Sequence, residues 1–160
     1  MQTGVGVEKW KDGSWFRGNY EEGKKYGFGI YMWRDGASYK GRWEDGKIGG
    51  FGTYKWADGR QFTGEWVNCK IGGFGVYTWS DGRRYTGFFA RDKRQGFGIY
   101  KMPDQSSRDE LKQNTYSGSW LNGKQHGYGC IYSATGPYKY GVWKDGNKIL
   151  KLSKREATDI

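Results

Sequence analysis

Few side chains of this chain could do the chemistry of a catalytic or metal site, and its one histidine, His126, is the first to consider. Histidine acts as a general base or as a zinc ligand, and either role needs further groups close to it. No second histidine and no pair of cysteines accompanies His126. We therefore predict a structural role for this residue and no metal site.

Recurring aspartates and glycine pairs could indicate paired carboxylates or a phosphate-binding loop. Asp35, Asp58 and Asp81 each stand directly before a glycine, which is typical of a tight turn. The Gly-x-Gly pairs lack the third glycine of a dinucleotide-binding loop and open no helix. A nucleophile, a base and an orienting acid cannot be assembled from one histidine outside a cleft. We therefore predict a non-enzymatic chain with no catalytic residue and no cofactor.

The composition indicates a folded chain whose buried surface consists mainly of aromatic rings. Of 160 residues, 29 are glycine, 2 are proline and 19% are aromatic. Disordered chains are usually poor in rings, and collagen needs abundant proline. The formal net charge of +10 permits an acidic partner, whether nucleic acid, an anionic membrane or an acidic protein, without choosing among them.

The rings and glycines recur with a fixed period, which indicates a repeat protein. Five aromatic residues open five repeats, and the first three steps between them are 23 residues each. The fourth step is longer because of an insertion near residues 105–115, where we expect a polar loop with one helical turn at residues 107–112. The opening residues are Phe16, Tyr39, Phe62, Tyr85 and Tyr116.

Each repeat carries the same residue types in phase. Glycine follows two residues after the opening ring, and a second ring follows four residues after it in every repeat. A basic residue, a Gly-aromatic-Gly triplet and, in three repeats, Asp-Gly come next. Cys69 and Asp92 replace the turn glycine in two repeats. In the second repeat these positions are Gly41, Trp43, Lys47, Gly50-Phe51-Gly52 and Asp58-Gly59.

Half repeats flank the five full ones, the first around Gly4 to Gly13 and the last around Gly141 to Gly146. We therefore predict one array of repeats over residues 1–147. A basic tail, residues 148–160, follows it. Apolar residues among the lysines and arginines of this tail suggest a short capping helix.

Each repeat is predicted to form two short antiparallel strands. Alternation from Tyr39 to Trp43, and again from Gly50 to Trp56, places large rings on one face of each strand. Asp58-Gly59 predicts a hairpin turn, and a second turn is expected around Asp45. Glycine normally weakens strands, but here it leaves room for a ring to lie over bare backbone. Two turns per repeat give an antiparallel meander of about twelve strands.

The predicted fold class is all-β: an elongated, single-layer antiparallel meander of consecutive β-hairpins with a short C-terminal helix. Neighbouring strands lie about 4.8 Å apart, so each repeat adds roughly 10 Å. Cys69 and Cys130 are then roughly 20 Å apart, whereas a disulfide needs Cα atoms within about 7 Å. We expect two free thiols. With so few cysteines and no signal-like or long apolar segment, we also expect an intracellular protein.

The pattern Tyr-x-Gly-x-Trp-x-x-Gly-Lys-x-x-Gly-x-Gly, followed by Asp-Gly, resembles the MORN (membrane occupation and recognition nexus) repeat. The resemblance covers nearly the whole chain. It departs at Met102–Gln105, which lacks the Trp and Gly, and at Thr135-Gly136, which replaces Asp-Gly. The resemblance implies an elongated, twisted and curved sheet. It also implies a scaffold of the kind found in radial spoke heads, in cytoskeletal rings and at membrane junctions.

On this basis we predict a scaffold that binds a partner protein, as an extended helix or peptide, along an aromatic-lined groove. The expected setting is cytoplasmic and cytoskeletal, with the ciliary axoneme or a membrane surface as narrower expectations. Open sheet ends also suggest a homodimer. The alternative for the tyrosines is that they are simply core. The predicted contact residues are Tyr31, Tyr54, Tyr77, Tyr100, Trp33, Trp56 and Trp79.

The second hypothesis is a peripheral membrane tether that binds anionic phospholipids. It depends on a basic segment, which could instead be a solvated edge, and on the lipid association that the resemblance implies. Nucleic-acid binding is ranked last, because no recognised nucleic-acid module is present and the rings belong to the repeat. The basic segment consists of Arg83, Arg84, Arg91, Lys93 and Arg94.

Overall fold

A computed structural model describes residues 3–103, 113–133 and 136–158, and thirteen strands lie within these residues. Two compact units, residues 1–80 and 81–160, each contain an antiparallel meander in chain order. The first holds β1 (Gly4–Lys9), β2 (Trp15–Glu21), β3 (Lys24–Met32), β4 (Ser38–Glu44), β5 (Lys47–Lys55), β6 (Gln61–Val67) and β7 (Lys70–Thr78). The second holds β8 (Arg84–Ala90), β9 (Lys93–Pro103), β10 (Gln113–Leu121), β11 (Lys124–Ser133), β12 (Lys139–Lys144), β13 (Asn147–Leu152) and helix α1 (Lys154–Thr158).

The all-β antiparallel meander and the short C-terminal helix are confirmed. The insertion loop and the helical turn predicted at 107–112 lie outside the described residues, except that residues 113–115 belong to β10. Strand β13 crosses the predicted end of the array at residue 147, so strand pairing continues into the segment predicted as a tail.

The Asp-Gly segments form hairpin turns, as predicted. In the turn before β4, the Asp35 carboxylate accepts a hydrogen bond from the Ala37 N–H at 2.9 Å. The Asp58 carboxylate accepts the same bond from the Arg60 N–H at 3.1 Å. Aspartate therefore serves here to replace a backbone acceptor within the turn.

The turns at the opposite end of each hairpin place two successive residues in the left-handed region. In the first compact unit, Cys69 has φ +62° at the position that Gly46 occupies with φ +78° one repeat earlier. Both residues donate their N–H, 2.9 Å from the acceptor, to a carbonyl of the preceding hairpin. The turn geometry is thus retained in a repeat that lacks the glycine.

The two glycines of the Gly-aromatic-Gly triplet have different physical reasons. Gly50 has φ +67° and lies in a bulge where the β4–β5 register shifts. Gly52 faces Gly41 across the same strand pair, and an added Cβ there would collide with the Tyr39 ring. The prediction that bare backbone makes room for rings is confirmed for the second glycine. For the first glycine it is wrong, because backbone conformation requires glycine there.

The core consists of rings on one face of the strands. The opening rings Phe16, Tyr39 and Phe62 are 0% exposed. The second ring of a repeat packs edge-on between two opening rings, as Trp66 does at 5.8 Å from Tyr39 and 5.3 Å from Phe62. Its indole N–H donates to the Gly52 carbonyl oxygen at 3.3 Å. Each such tryptophan therefore joins its own repeat to the preceding one.

Candidate functional site

A continuous row of half-buried rings runs along the first compact unit, and we name it the aromatic ladder. Successive ring centroids lie 4.5 to 5.4 Å apart. Six of its members were predicted as contact residues, and the structure brings those six together. The ladder consists of Trp10, Tyr31, Trp33, Tyr54, Trp56, Tyr77 and Trp79.

Strand register and turn geometry together position the ladder. Tyr54 stands opposite Tyr39 in β4 and opposite Phe62 in β6, so its ring shares the face of the core. Trp56 follows β5 directly, and its backbone N–H donates to the Arg60 carbonyl oxygen at 2.9 Å. The rings are held from beneath while part of each remains exposed. They are thus partly core, as the alternative interpretation had it, and partly accessible surface.

Tyr100, the remaining predicted tyrosine, lies in the second compact unit beside a cation. Its ring centroid is 5.9 Å from that of Trp120, and the Arg94 guanidinium carbon lies 5.3 Å from its centroid. Two repeat positions that hold Tyr and Trp in the ladder are Ile131 and Ser133 in the last full repeat. The last full repeat therefore lacks rings at these two ladder positions, although its Tyr132 stacks on Tyr138 with centroids 4.9 Å apart.

The five predicted basic residues do not converge on one surface. Arg83 pairs with Asp81 at 2.7 Å, and Arg84 lies at the start of β8, opposite Lys101. The others lie at or beyond the far end of this seven-residue strand, roughly 20 Å away at about 3.4 Å per residue.

Among those others, Arg91 and Lys93 are exposed, whereas Arg94 is half-buried. The Arg94 guanidinium carbon lies 4.3 Å from the Trp120 ring centroid, and its Nη2 donates to the Gly123 carbonyl oxygen at 2.7 Å. Burial lowers the pKa of Arg94. Lipid binding by this segment stays a prediction, and Arg94 is its least accessible member.

An arginine at the edge of the ladder was not predicted. The Arg60 guanidinium carbon lies 5.3 Å from the Trp56 ring centroid. Its Nε donates to the Asp58 carboxylate at 2.7 Å, and its Nη1 reaches the Tyr77 hydroxyl at 3.4 Å. Hydrogen bonds from the Arg60 backbone and side chain lower the pKa of Asp58. Sequence spacing showed the turn aspartate, but not that the next arginine folds back over the tryptophan.

A second row of rings lies on the opposite face of the strands. The central residues of the Gly-aromatic-Gly triplets, Phe28 and Phe51 in the first compact unit, are exposed. Phe51 stands opposite Glu65 of β6, among polar and charged neighbours. In the second compact unit, Phe97 and Tyr128 are likewise exposed. The alternation of the strands foretold this face, but the phenylalanines were not singled out as a surface.

A groove of about 570 Å³ lies on this opposite face of the second compact unit. Burial there raises the pKa of the half-buried Cys130 thiol. Both Cys69 and Cys130 are free. The groove is lined by Phe97, Ser117, Ser119, Tyr128, Cys130, Tyr140, Leu152 and Ala157, with backbone glycines between them.

The remaining candidate, His126, lies near the turn between β12 and β13. Its Nδ1 is 3.8 Å from an Asp145 carboxylate oxygen, beyond hydrogen-bond distance. Within the described residues, no group of three or more His, Cys, Asp or Glu side chains is arranged to hold a metal ion. No helix in the described part of the chain is long and apolar enough to cross a membrane.

Comparison with known proteins identifies the repeat. The MORN repeat family model matches residues 1–15, 16–38, 39–59, 62–83, 85–107 and 116–138. These boundaries follow the opening rings deduced from the sequence. No curated protein matches this chain. MORN repeats are non-catalytic scaffolds for contacts with proteins or membrane lipids. With six matched repeats over most of its length, the chain belongs to the MORN repeat family.

Proposed function

We propose that this protein is a scaffold whose aromatic ladder binds an extended segment of a partner protein. The observation that supports this is the row of seven half-buried rings with centroid spacings of 4.5 to 5.4 Å. Tyrosine and tryptophan dominate binding hot spots because they bury large area at a low cost in conformational entropy. Rings already held by a sheet lose still less on binding.

The spacing of the ladder suits a helix. Consecutive repeats are two strands apart, roughly 10 Å at about 4.8 Å per strand. Two helical turns advance about 11 Å. A helix lying along the row would therefore meet Tyr31, Tyr54 and Tyr77 with residues about seven positions apart. An extended peptide would meet the same rings with residues about three positions apart.

The test compares the two faces of the sheet at β5 and the turn that follows it. Trp56→Ala removes a ladder ring, whereas Phe51→Ala removes an exposed ring from the opposite face of β5. Each variant, with intact fold confirmed by near-UV circular dichroism, is used to capture proteins from cell extract, and captured proteins are quantified by mass spectrometry. We expect a set of proteins that Trp56→Ala loses and Phe51→Ala retains. Equal capture by both variants would show that the ladder is not the binding face.

The lipid hypothesis is tested in parallel on vesicles containing anionic phospholipid, over a range of salt concentration. Arg84→Glu, Arg91→Glu and Lys93→Glu reverse exposed charges without touching the core. If vesicle binding is tight and these changes abolish it while Trp56→Ala does not, a membrane tether replaces the protein scaffold. The narrower setting that we propose, a cytoskeletal or ciliary assembly, is tested by the cellular position of the tagged protein.

A further inference from the structure

In the first compact unit, the turn between β5 and β6 and a tyrosine of the next repeat form a complete binding site for a guanidinium group, which Arg60 of the turn fills. The site has three sides: the Trp56 ring at 5.3 Å, the Asp58 carboxylate at 2.7 Å and the Tyr77 hydroxyl at 3.4 Å. In the second compact unit, Arg83 makes the same two polar contacts, with Asp81 at 2.7 Å and the Tyr100 hydroxyl at 3.4 Å. The arrangement is therefore a property of the repeat.

The equivalent positions 23 residues earlier hold the same three residue types but no arginine. Trp33, Asp35 and Tyr54 occupy the three positions, and Ala37 stands where Arg60 stands one repeat later. The Trp33 and Tyr54 centroids are 5.1 Å apart at 37°, against 5.4 Å and 35° for the next repeat.

The two turns also match in their hydrogen bonds. The backbone N–H of Trp33 donates to the Ala37 carbonyl oxygen, and that of Trp56 donates to the Arg60 carbonyl oxygen, each at 2.9 Å. In each turn the aspartate carboxylate accepts a hydrogen bond from the backbone N–H of the same residue, 37 or 60. Burial raises the pKa of Tyr54, and the charge of Asp35 contributes to the same shift. Among the residues that the structure describes, no lysine or arginine lies over the Trp33 ring or forms an ion pair with Asp35.

We propose that Trp33, Asp35 and Tyr54 bind an arginine side chain of the partner segment. The site lies within the aromatic ladder, so the partner's arginine would be an anchor of the contact described under the proposed function. This inference rests on that function only for the source of the arginine, because the site itself is defined by the comparison between repeats. The proposal predicts that the partner presents an arginine. The net charge of +10 on this protein would by itself favour acidic partners.

The chemistry favours arginine over lysine. A planar guanidinium can stack on an indole ring while its N–H groups donate to a carboxylate and a hydroxyl in one plane. The Arg60 contacts use these capacities together, with Nε on Asp58 and Nη1 on Tyr77. A lysine ammonium is a compact, strongly hydrated charge and cannot make the stacked arrangement.

The first test uses a small probe and no partner protein. Nα-acetyl-arginine methylamide is titrated into the ¹⁵N-labelled chain, and the indole N–H signals of the tryptophans are followed by NMR. We expect saturable shifts centred on Trp33. The matched citrulline compound, which has the same shape without charge, should leave Trp33 unmoved. Asp35→Asn should weaken the arginine probe roughly two- to fivefold, as loss of an exposed ion pair does.

The second test uses the chain's own repeats as templates. Ala37→Arg supplies the side chain that Arg60 supplies one repeat later. Because Ala37 is 3% exposed, near-UV circular dichroism must first show that this variant keeps its fold, and it should then abolish the Trp33 response. Arg60→Ala exposes the equivalent set and should give a second response at Trp56. Equal shifts with the citrulline compound, or an unchanged Trp33 response in Ala37→Arg with no new response in Arg60→Ala, would overturn the proposal.

The two proposals fail separately. A Trp33 site that binds the arginine probe, in a protein from which Trp56→Ala removes no captured protein, would retain the site and contradict the scaffold function. Selective capture by the ladder with no response to the probe would retain the scaffold and contradict the arginine site.

Discussion

At the scale of single residues, the sequence pattern showed where glycine stands but only part of the reason. Gly52 was predicted from the ring that must lie above it, and Tyr39 lies there. Gly50 is also glycine, but for a different reason, because its φ is positive in the bulge. Period and alternation reveal which face a residue occupies. They do not reveal the sign of a backbone angle, which depends on the register shift of a strand pair.

The turn position of Cys69 gives a prediction at this scale. A side chain in the left-handed region costs about 1–2 kcal/mol, whereas glycine adds about 0.4–1 kcal/mol of unfolded-state entropy. Cys69→Gly removes the first cost and adds the smaller second one. It should therefore raise the free energy of unfolding by about 0.5–1 kcal/mol. Urea denaturation measures it.

Cys69→Ala is the control for this change, since it removes the exposed thiol but keeps a Cβ at φ +62°. It should bring no gain. A stabilisation of the alanine variant equal to that of the glycine variant would show that the thiol, and not the backbone conformation, is the source of strain.

At the scale of strands and turns, hairpin succession was predictable because its signals are local. Asp-Gly turns and alternating rings specified the antiparallel strands from Phe16 to Trp143, and the structure confirms them. Side chains that fold back over a neighbouring element were not predictable in the same way. Arg60 reaches Trp56 and Tyr77 because its turn directs it there, and spacing alone does not contain that direction.

Packing between hairpins leads to the next prediction. Trp66 lies within 5.8 Å, between ring centroids, of Tyr39, Tyr54 and Phe62, and bonds to the Gly52 carbonyl. Trp66→Ala should lower the free energy of unfolding by about 3–5 kcal/mol, as loss of a large buried ring does. Trp143→Ala should cost less, because the described contacts of that ring are Tyr116 and Lys148.

Trp66→Phe is the matched control, because Phe89 occupies the same position in a later repeat. It keeps a ring and removes the indole hydrogen bond, so its cost should fall well below that of Trp66→Ala. Equal losses at Trp66 and Trp143 in urea denaturation would contradict stabilisation by neighbouring repeats.

At the scale of the whole molecule, the same division of faces is repeated in both compact units. In each unit one face carries the buried rings and the other carries exposed rings, such as Phe51 in the first unit and Phe97 in the second. The half-buried tyrosines and tryptophans of the ladder belong to the first unit. Composition predicted a ring-based core for the whole chain. Composition could not predict which basic side chains are exposed, since Arg94 lies half-buried over Trp120 while Arg91 is exposed. From the sequence, five basic residues are predicted to share one surface. Their separation depends on which end of β8 each one lies at, and the composition does not contain that information.

The buried opening tyrosines make the stability of the whole molecule depend on alkaline pH. Burial raises the pKa of Tyr116 to about 12 and those of Tyr39 and Tyr85 well above the usual value. An acid whose pKa is raised by folding contributes stability that is present below its unfolded pKa of about 10 and lost as pH rises through its folded pKa. Between pH 10 and its folded pKa, each of these tyrosines should lower the free energy of unfolding by up to about 1.4 kcal/mol per pH unit.

The repeats supply the control for this pH dependence, because Phe16 and Phe62 hold the same position without a hydroxyl. The triple variant Tyr39→Phe, Tyr85→Phe and Tyr116→Phe should be less stable at pH 8. It loses hydrogen bonds such as that from the Tyr39 hydroxyl to the Arg42 carbonyl at 3.0 Å. Between pH 10 and pH 12 its free energy of unfolding should fall less steeply than that of the unaltered protein, so that the two curves converge. Parallel curves over this range would show that these hydroxyls ionise as readily in the folded state as in the unfolded chain.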